Sequence, residues 1–330
     1  MSGTSIARRR LSPGARIGLA IFARYATIIG LALMIVIFSI LSPDAFPTLN
    51  NFVNVLNQAS LATIIAGGLT LAVVVGELDL SIGYAASLHG VLVTGLIVHD
   101  KLPIALAIVI VLALGALIGV VNGLIVTKLR VNSVIATLGV GTIIVGLAFA
   151  YSSGVPIVAG VPEGFLQLSL GRWLFGIPNP IIIMAVVVVG LWVLVERTAI
   201  GQQIQAVSGN PIAARLAGIS VDRIKILGFV ISAVCAALTG ALLASRLRSS
   251  TTNAADSYLL TAFAAVFLGS VKLRDGELHV LGVPRASGLV RAQAPRRSRP
   301  RALPSCASGG RRQPAAARRP LASAQAPATG

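Results

Sequence analysis

The sequence predicts an all-α fold: a polytopic transmembrane helical bundle of about eight spans, followed by a disordered C-terminal tail. Two observations carry this. Hydrophobic residues make up 55% of the 330 residues and charged residues only 11%, with a mean hydropathy of +0.89, whereas soluble globular chains carry about 25% charged residues. The apolar residues also fall in continuous runs of about 20, the length at which a helix rising 1.5 Å per residue crosses a bilayer. Continuous rather than alternating runs argue against a β-barrel.

Residues 1–24 form an N-terminal segment rich in arginine. ARRRLS ahead of an apolar run has the look of a secretory or twin-arginine signal. No small-residue cleavage site follows it and more spans come after, so 25–41 reads as an uncleaved first span. Further spans are expected at 53–75, 81–99, 103–126, 133–151, 179–195 and 224–244. An eighth segment, 258–271, is short for a full crossing and suits a re-entrant or tilted helix. Between PIIIMAVVVVGLWVLV and ILGFVISAVCAALTGALLA lies a long polar island, ERTAIGQQIQAVSGNPIAARLAGISVDRIK. Its length and helix-friendly composition suit a docking surface.

Orientation follows from Lys and Arg. With the N-terminus inside, 13 basic residues, among them Arg8, Lys128, Arg130, Arg215 and Lys225, fall in inner segments. Only Lys101, Arg172, Arg246 and Arg248 fall in outer loops. The N-terminus and the polar island are therefore expected in the cytoplasm.

The formal charge of +17 is concentrated in the last segment, where ten arginines and no acidic residue follow position 284. The rest of the chain carries 17 basic and 10 acidic residues. Ala, Arg and Pro dominate 283–330, a composition that cannot offset its ordering entropy by burial. Three readings are open. A basic tail can bind acidic lipid headgroups, or nucleic acid, although no aromatic residue is interleaved to stack on bases. Arg, Ala, Pro and Gly without Lys is also what a GC-rich gene yields out of frame, and this reading is favoured; no nucleic-acid partner is expected.

Cys235 and Cys306 have no metal or redox spacing, and Cys235 reads as a small packing residue. His89, His99 and His279 have no ligand spacing either. His89, inside a span, reads more readily as hydrogen-bonded packing than as the lining of a polar path. No metal site, catalytic triad or enzyme activity is expected. None of the four lysines follows a glycine, so the chain has no Walker A motif.

Three groups of residues are candidates for function. In VVVGELDLSIGYAAS, Gly76, Glu77, Asp79, Ser81 and Gly83 form a turn at the inner end of a span. Intramembrane acids are functional candidates by default, but an interfacial turn is the simpler reading. Ser81 is expected to cap the next helix, with Asp79 near its positive end, while Gly76 and Gly83 permit a tight bend. Asn57, Gln58, Ser87 and Asn122 offer uncharged donors and acceptors within spans. They suit either a translocation pathway for a hydroxyl-rich solute or helix–helix hydrogen bonding. Gly67, Gly68, Gly115 and Gly119 read as close-packing positions. In the island, Gly209, Asn210 and Pro211 make a helix-entry turn. Ala213, Ala214, Arg215 and Leu216 favour a short helix that Gly218 can end. The alanines would let a partner approach, Leu216 and Ile219 would fill a groove, and Arg215 would be a polar anchor.

GELDLSIG resembles the G-x-D-L-S-V-G signature of the ribose/monosaccharide-type permeases of bacterial ABC importers. NVLNQASLATIIAGGLTLAVVVG, VNGLIVTKLRVNSVIATLGVGTIIVGLA and AVSGNPIAARLAGISVDRIKIL with SAVCAALTGALLASRLRSS resemble the same family in the same order. The likeness covers residues 25–282, with 197–223 as the cytoplasmic coupling loop. It implies a multi-pass protein of the bacterial inner membrane that binds no cofactor itself. ATP and Mg would sit on a cytoplasmic ATP-binding subunit seated against that loop. A periplasmic substrate-binding protein and a second permease subunit, in a homodimer, would complete the importer. After AAVFLGSVKLRDGELHVLG the likeness stops, where family members go on to further spans. An ion-coupled secondary transporter would need paired acids or Na⁺ sites deep in the spans, which are nearly absent; a non-functional truncated permease is the other alternative.

Overall fold

A computed structural model describes residues 29–174 and 176–272. The expectations for 1–28 and for the 283–330 tail fall outside the described residues. Eleven helices are described: α1 (Ile29–Leu41), α2 (Leu49–Val74), α3 (Ile82–Val98), α4 (Ile104–Thr127), α5 (Ser133–Ser152), α6 (Glu163–Leu170), α7 (Asn179–Arg197), α8 (Ala199–Gly209), α9 (Pro211–Leu216), α10 (Val221–Leu247) and α11 (Asp256–Lys272). Among the described residues there are two isolated bridges, Ile157 with Ser250 and Leu174 with Ile177, and no strand.

Five helices, α2, α4, α5, α7 and α10, are long and apolar enough to cross a membrane, and α1, α3 and α11 are shorter apolar helices. Each of the eight overlaps one of the expected segments, but among the described residues only five have the length of a full crossing, against the about eight spans expected. The helices start where side chains satisfy free N–H groups: Thr48 accepts from Asn51 N, Asn132 from Val134 N, and Thr198 from Gly201 N.

Helix α10 is the centre of the bundle, with α2, α3 and α4 packed around it. α5 lies on α3, α7 on α2, and α11 on α2 and α3. Burial separates the two layers: 67% of the most apolar stretch of α10 and 61% of that of α2 are buried, against 22% for α4 and α7. The exposed sides of α4, α5 and α7 carry Leu106, Val109, Leu117, Ile143, Leu147, Val186 and Val189, a surface that lipid tails solvate and water does not.

With no hydrophobic drive between helices in lipid, close approach of backbones supplies much of the packing. The small residues of α10 permit it: Gly228, Ser232, Ala233, Ala236, Ala237, Gly240 and Ala244 are buried. Gly115, Gly119 and Gly123 recur every four residues along the face of α4 that meets α10. A Cβ on Gly119 would stand 2.5 Å from the Cα of Val230 and 2.6 Å from the carbonyl oxygen of Phe229. Gly68 is pressed against Cys235, and Gly67 against Leu191. His89 lies fully buried, its Nδ1 2.5 Å from the carbonyl oxygen of Ala85.

Candidate functional site: a short exposed helix and the polar network behind it

At the end of the bundle where α2 finishes and α10 begins, α8 and α9 cover the helix ends. A small apolar cluster holds them there: Val74 and Val75, Ile204 and Val207, Ala214, and Val221 and Ile224, with Leu194 and Ile219 beside it. Asn210 closes α8 and opens α9, its side chain accepting from Ile212 N and Ala213 N at 3.0 Å each. Pro211 occupies the first position of α9, where its missing N–H costs nothing. Gly218, at φ +85°, ends the helix. Its N–H donates to Arg215 O, and that of Ile219 to Ala214 O.

The helix-entry turn and the glycine stop are as expected, but the faces of α9 differ from expectation. Ala214 is 4% exposed and packs into the apolar cluster, and Ile219 lies half-buried beside it. Neither faces outward. The outward side carries Ile212 (75% exposed) and Leu216 (86% exposed), four residues apart and therefore stacked on one face. Ala214 sits half-way between them in sequence and so on the opposite face. Ala213 and Gly209 are exposed. Arg215 is exposed and paired with Asp222 at 3.1 Å. The sequence did not single out Ile212, because its exposure depends on which face of a six-residue helix is free.

Behind this surface lies the signature turn. Gly76, at φ +86°, terminates α2: Gly76 N donates to Val73 O and Glu77 N to Ala72 O. Gly83 does not bend the chain. It lies in the first turn of α3, where a Cβ would stand 3.1 Å from Leu259 Cβ, so its small size admits α11. Nor does Ser81 cap α3. Its backbone is already helical, and its hydroxyl and N–H both donate to Asp79 Oδ1, at 2.6 and 3.1 Å. Asp79 does the capping because a carboxylate two residues upstream reaches the N–H that a helical serine's own side chain does not.

Glu77 and Asp79 are both buried rather than lying in a wet interface. Asp79 Oδ2 accepts from Ser232 of α10 at 2.9 Å, and Ser81 Oγ accepts from Asn122 of α4 at 2.9 Å. Glu77 Oε1 takes Lys225 Nζ of α10 at 2.5 Å. The backbone of the turn is held by α5, Leu78 N donating to Ser133 Oγ at 3.3 Å and Leu80 N to Thr137 Oγ1 at 3.1 Å. One six-residue turn thus ties α2, α3, α4, α5 and α10 together.

The four expected pathway residues do not form one cluster. Asn122 belongs to the turn network. Ser87 donates to Asp256 Oδ1 at 3.0 Å and accepts from Ala255 N at 2.9 Å, joining α3 to the start of α11. Asn57 accepts through its backbone carbonyl from Arg246 Nη2 at 2.6 Å, while its side-chain Oδ1 is buried without a partner. Gln58 is exposed on α2. Among the described residues, no group of three or more His, Cys, Asp or Glu side chains could hold a metal ion.

Sequence comparison places this arrangement among known proteins. The ribose import permease protein of Haemophilus influenzae is 38% identical over 257 residues, covering 77% of this chain and 79% of the relative. The ribose import permease protein of Bacillus subtilis is 38% identical over 255 residues, covering 77% and 78%. The galactose/methyl galactoside import permease protein of Escherichia coli is 34% identical over 260 residues, covering 74% and 77%. No solved structure matches the chain. The family model described as branched-chain amino acid transport system / permease component matches residues 51–290, and the chain belongs to that family.

Proposed function

We propose that this chain is the membrane-spanning permease subunit of an ATP-driven importer for a monosaccharide or similar small, hydroxyl-rich solute. The observation that carries this reading is α9. Two large apolar side chains stand 75% and 86% exposed on a helix clamped to the bundle from its other face. That is the form of a lever: rigidly held behind, unpartnered in front. Similarity to permeases named for ribose and galactose import supports the solute class.

In this reading the N-terminus, α8 and α9 face the cytoplasm and the eight apolar helices cross or enter the inner membrane. Residues 25–282 form the permease domain and 283–330 a tail outside it. Two copies form the pathway, two ATP-binding subunits carry ATP and Mg, and a periplasmic binding protein delivers solute. Displacement of α9 by the ATP-binding subunit is passed through the apolar cluster to Val74, Val75 and the start of α10. The Glu77–Lys225 pair and the Asp79–Ser81–Asn122–Ser232 network then move the ends of α2, α3, α4 and α5 together. Coupling requires that ATP and solute each bind the two states of the pathway with different affinity. The carboxylates of the turn are each tied to a named partner, which supports a structural role over an ion relay.

The test is transport. The permease reconstituted in proteoliposomes with its ATP-binding subunit and binding protein should accumulate radiolabelled ribose or galactose only with ATP. ATP-independent accumulation driven by a Na⁺ or proton gradient, or none with any monosaccharide, would sink the reading.

A further inference from the structure

The end of the bundle that carries α9 has a second exposed feature, the turn between α4 and α5. This turn and α9 border one open cleft of about 660 Å³, lined by Thr127, Arg130 and Asn132 on one side and Arg215, Asp222 and Lys225 on the other. Asp222 draws the two sides together, lying 3.1 Å from Arg215 and 3.9 Å from Lys128.

The charges of the cleft do not cancel. Lys225 is neutralised by Glu77 and Arg215 by Asp222. Arg130 has no ion-pair or hydrogen-bond partner among the described residues, although it lines the same cleft. It is held there in a left-handed backbone conformation, φ +55°, which non-glycine residues seldom adopt. Leu129, next to it, is 71% exposed. A free guanidinium fork facing a polar cleft is suited to a carboxylate, which it can bind through two parallel hydrogen bonds. The exposed leucine beside it supplies the apolar contact that surrounds such a pair at an interface.

We infer that the α4–α5 turn is a second contact for the ATP-binding subunit, and that the cleft between it and α9 receives an acidic side chain of that subunit. The inference rests on the importer reading given above. A phospholipid phosphate would satisfy the same guanidinium, but the cleft is lined almost wholly by polar groups and offers an acyl chain no wall. The geometry favours a protein carboxylate. A subunit seated on both α9 and this turn would grip two loops already joined through Asp222, so its movement would turn them as one piece.

The experiment is co-purification of the ATP-binding subunit with full-length permease in detergent, at low and high salt. Arg130→Glu should reduce the retained subunit about tenfold at low salt, a steering and pairing loss that salt screening diminishes. Arg130→Lys, which keeps the charge but loses the fork, should retain an intermediate amount, and Leu129→Asp should also weaken retention. Unchanged elution of each permease variant from a sizing column establishes that the fold is intact. Wild-type retention by Arg130→Glu and Leu129→Asp, with Leu216→Asp abolishing it, would overturn this inference and leave the importer reading standing. Wild-type retention by Leu216→Asp as well would remove both. If Arg130→Glu instead lost only co-purifying phosphatidylglycerol, the cleft would be a lipid site and the inference wrong.

Discussion

Lys225→Met should destabilise the bundle more than Glu77→Gln, although both remove the same ion pair. The reason is the unequal burial of the two side chains, 9% exposed for Glu77 and 25% for Lys225. Removing the lysine leaves a largely buried carboxylate at the turn without its ion-pair partner. Breaking a buried pair in this way costs about 3–5 kcal/mol, and the partial access of water through the cleft lowers this to about 2–3 kcal/mol. Removing the glutamate's charge leaves an ammonium that its flexible stem can swing into the cleft, a loss of about 1 kcal/mol. Replacing both, as Glu77→Leu with Lys225→Met, should recover most of the loss, because a buried pair is close to neutral against well-packed apolar residues. The assay is reversible unfolding of the purified permease in mixed micelles, titrated with SDS, run as a double-mutant cycle. Equal losses for the two single variants, or a double variant as unstable as the sum, would refute the argument that Glu77 is buried and held by Lys225.

Other outcomes follow from the same contacts. Asn210→Ala removes the acceptor for two N–H groups of α9 and should cost about 1 kcal/mol, seen as faster amide exchange at Ile212 and Ala213 with the rest of the bundle unchanged. Gly119→Leu forces α4 away from α10 and should cost at least about 1–3 kcal/mol, read as a lower melting temperature; Gly139→Leu, with nothing within 4 Å of its Cβ position, should cost far less. Asn122→Leu deprives Ser81 Oγ of its donor at 2.9 Å and should cost about 1–2 kcal/mol in the same melt.

The helices were legible in the sequence because lipid imposes one length scale. Apolar runs of membrane length leave little room for error, and the expected span 53–75 differs from α2 by four residues at one end and one at the other. The extension of α2 back to Leu49 depends on the Thr48 cap, a polar signal lying outside the apolar run. The polar island between α7 and α10 was legible as a turn, a short helix and a glycine stop, since Asn-Pro and Gly act locally. Its outward face was not, because a six-residue helix has too few turns to show periodicity; Ala214 was expected on that face and Ile212 was given no place on it. The network was the least accessible part. GELDLS announces itself as a motif, but its partners Asn122, Thr137, Lys225 and Ser232 lie 41 to 153 residues away. Nothing in the local composition of α4, α5 or α10 marks those four side chains as meeting one turn; only the packing of small residues brings them there. Ser81 misled for a related reason: serine before a helix suggests a cap, yet Asp79 two residues earlier takes that role.

Seating of an ATP-binding subunit on α9 is tested by replacing the two exposed apolar side chains of that helix. Full-length permease carrying Ile212→Asp and Leu216→Asp is co-expressed with the ATP-binding subunit, and the subunit retained on purification is compared with that retained by the unaltered chain. The two side chains make few contacts with the bundle, so the variant should elute and melt as the parent does. It should lose the subunit by at least about tenfold, as loss of two apolar anchors at the centre of an interface requires. Full retention of the subunit by that variant would contradict the claim.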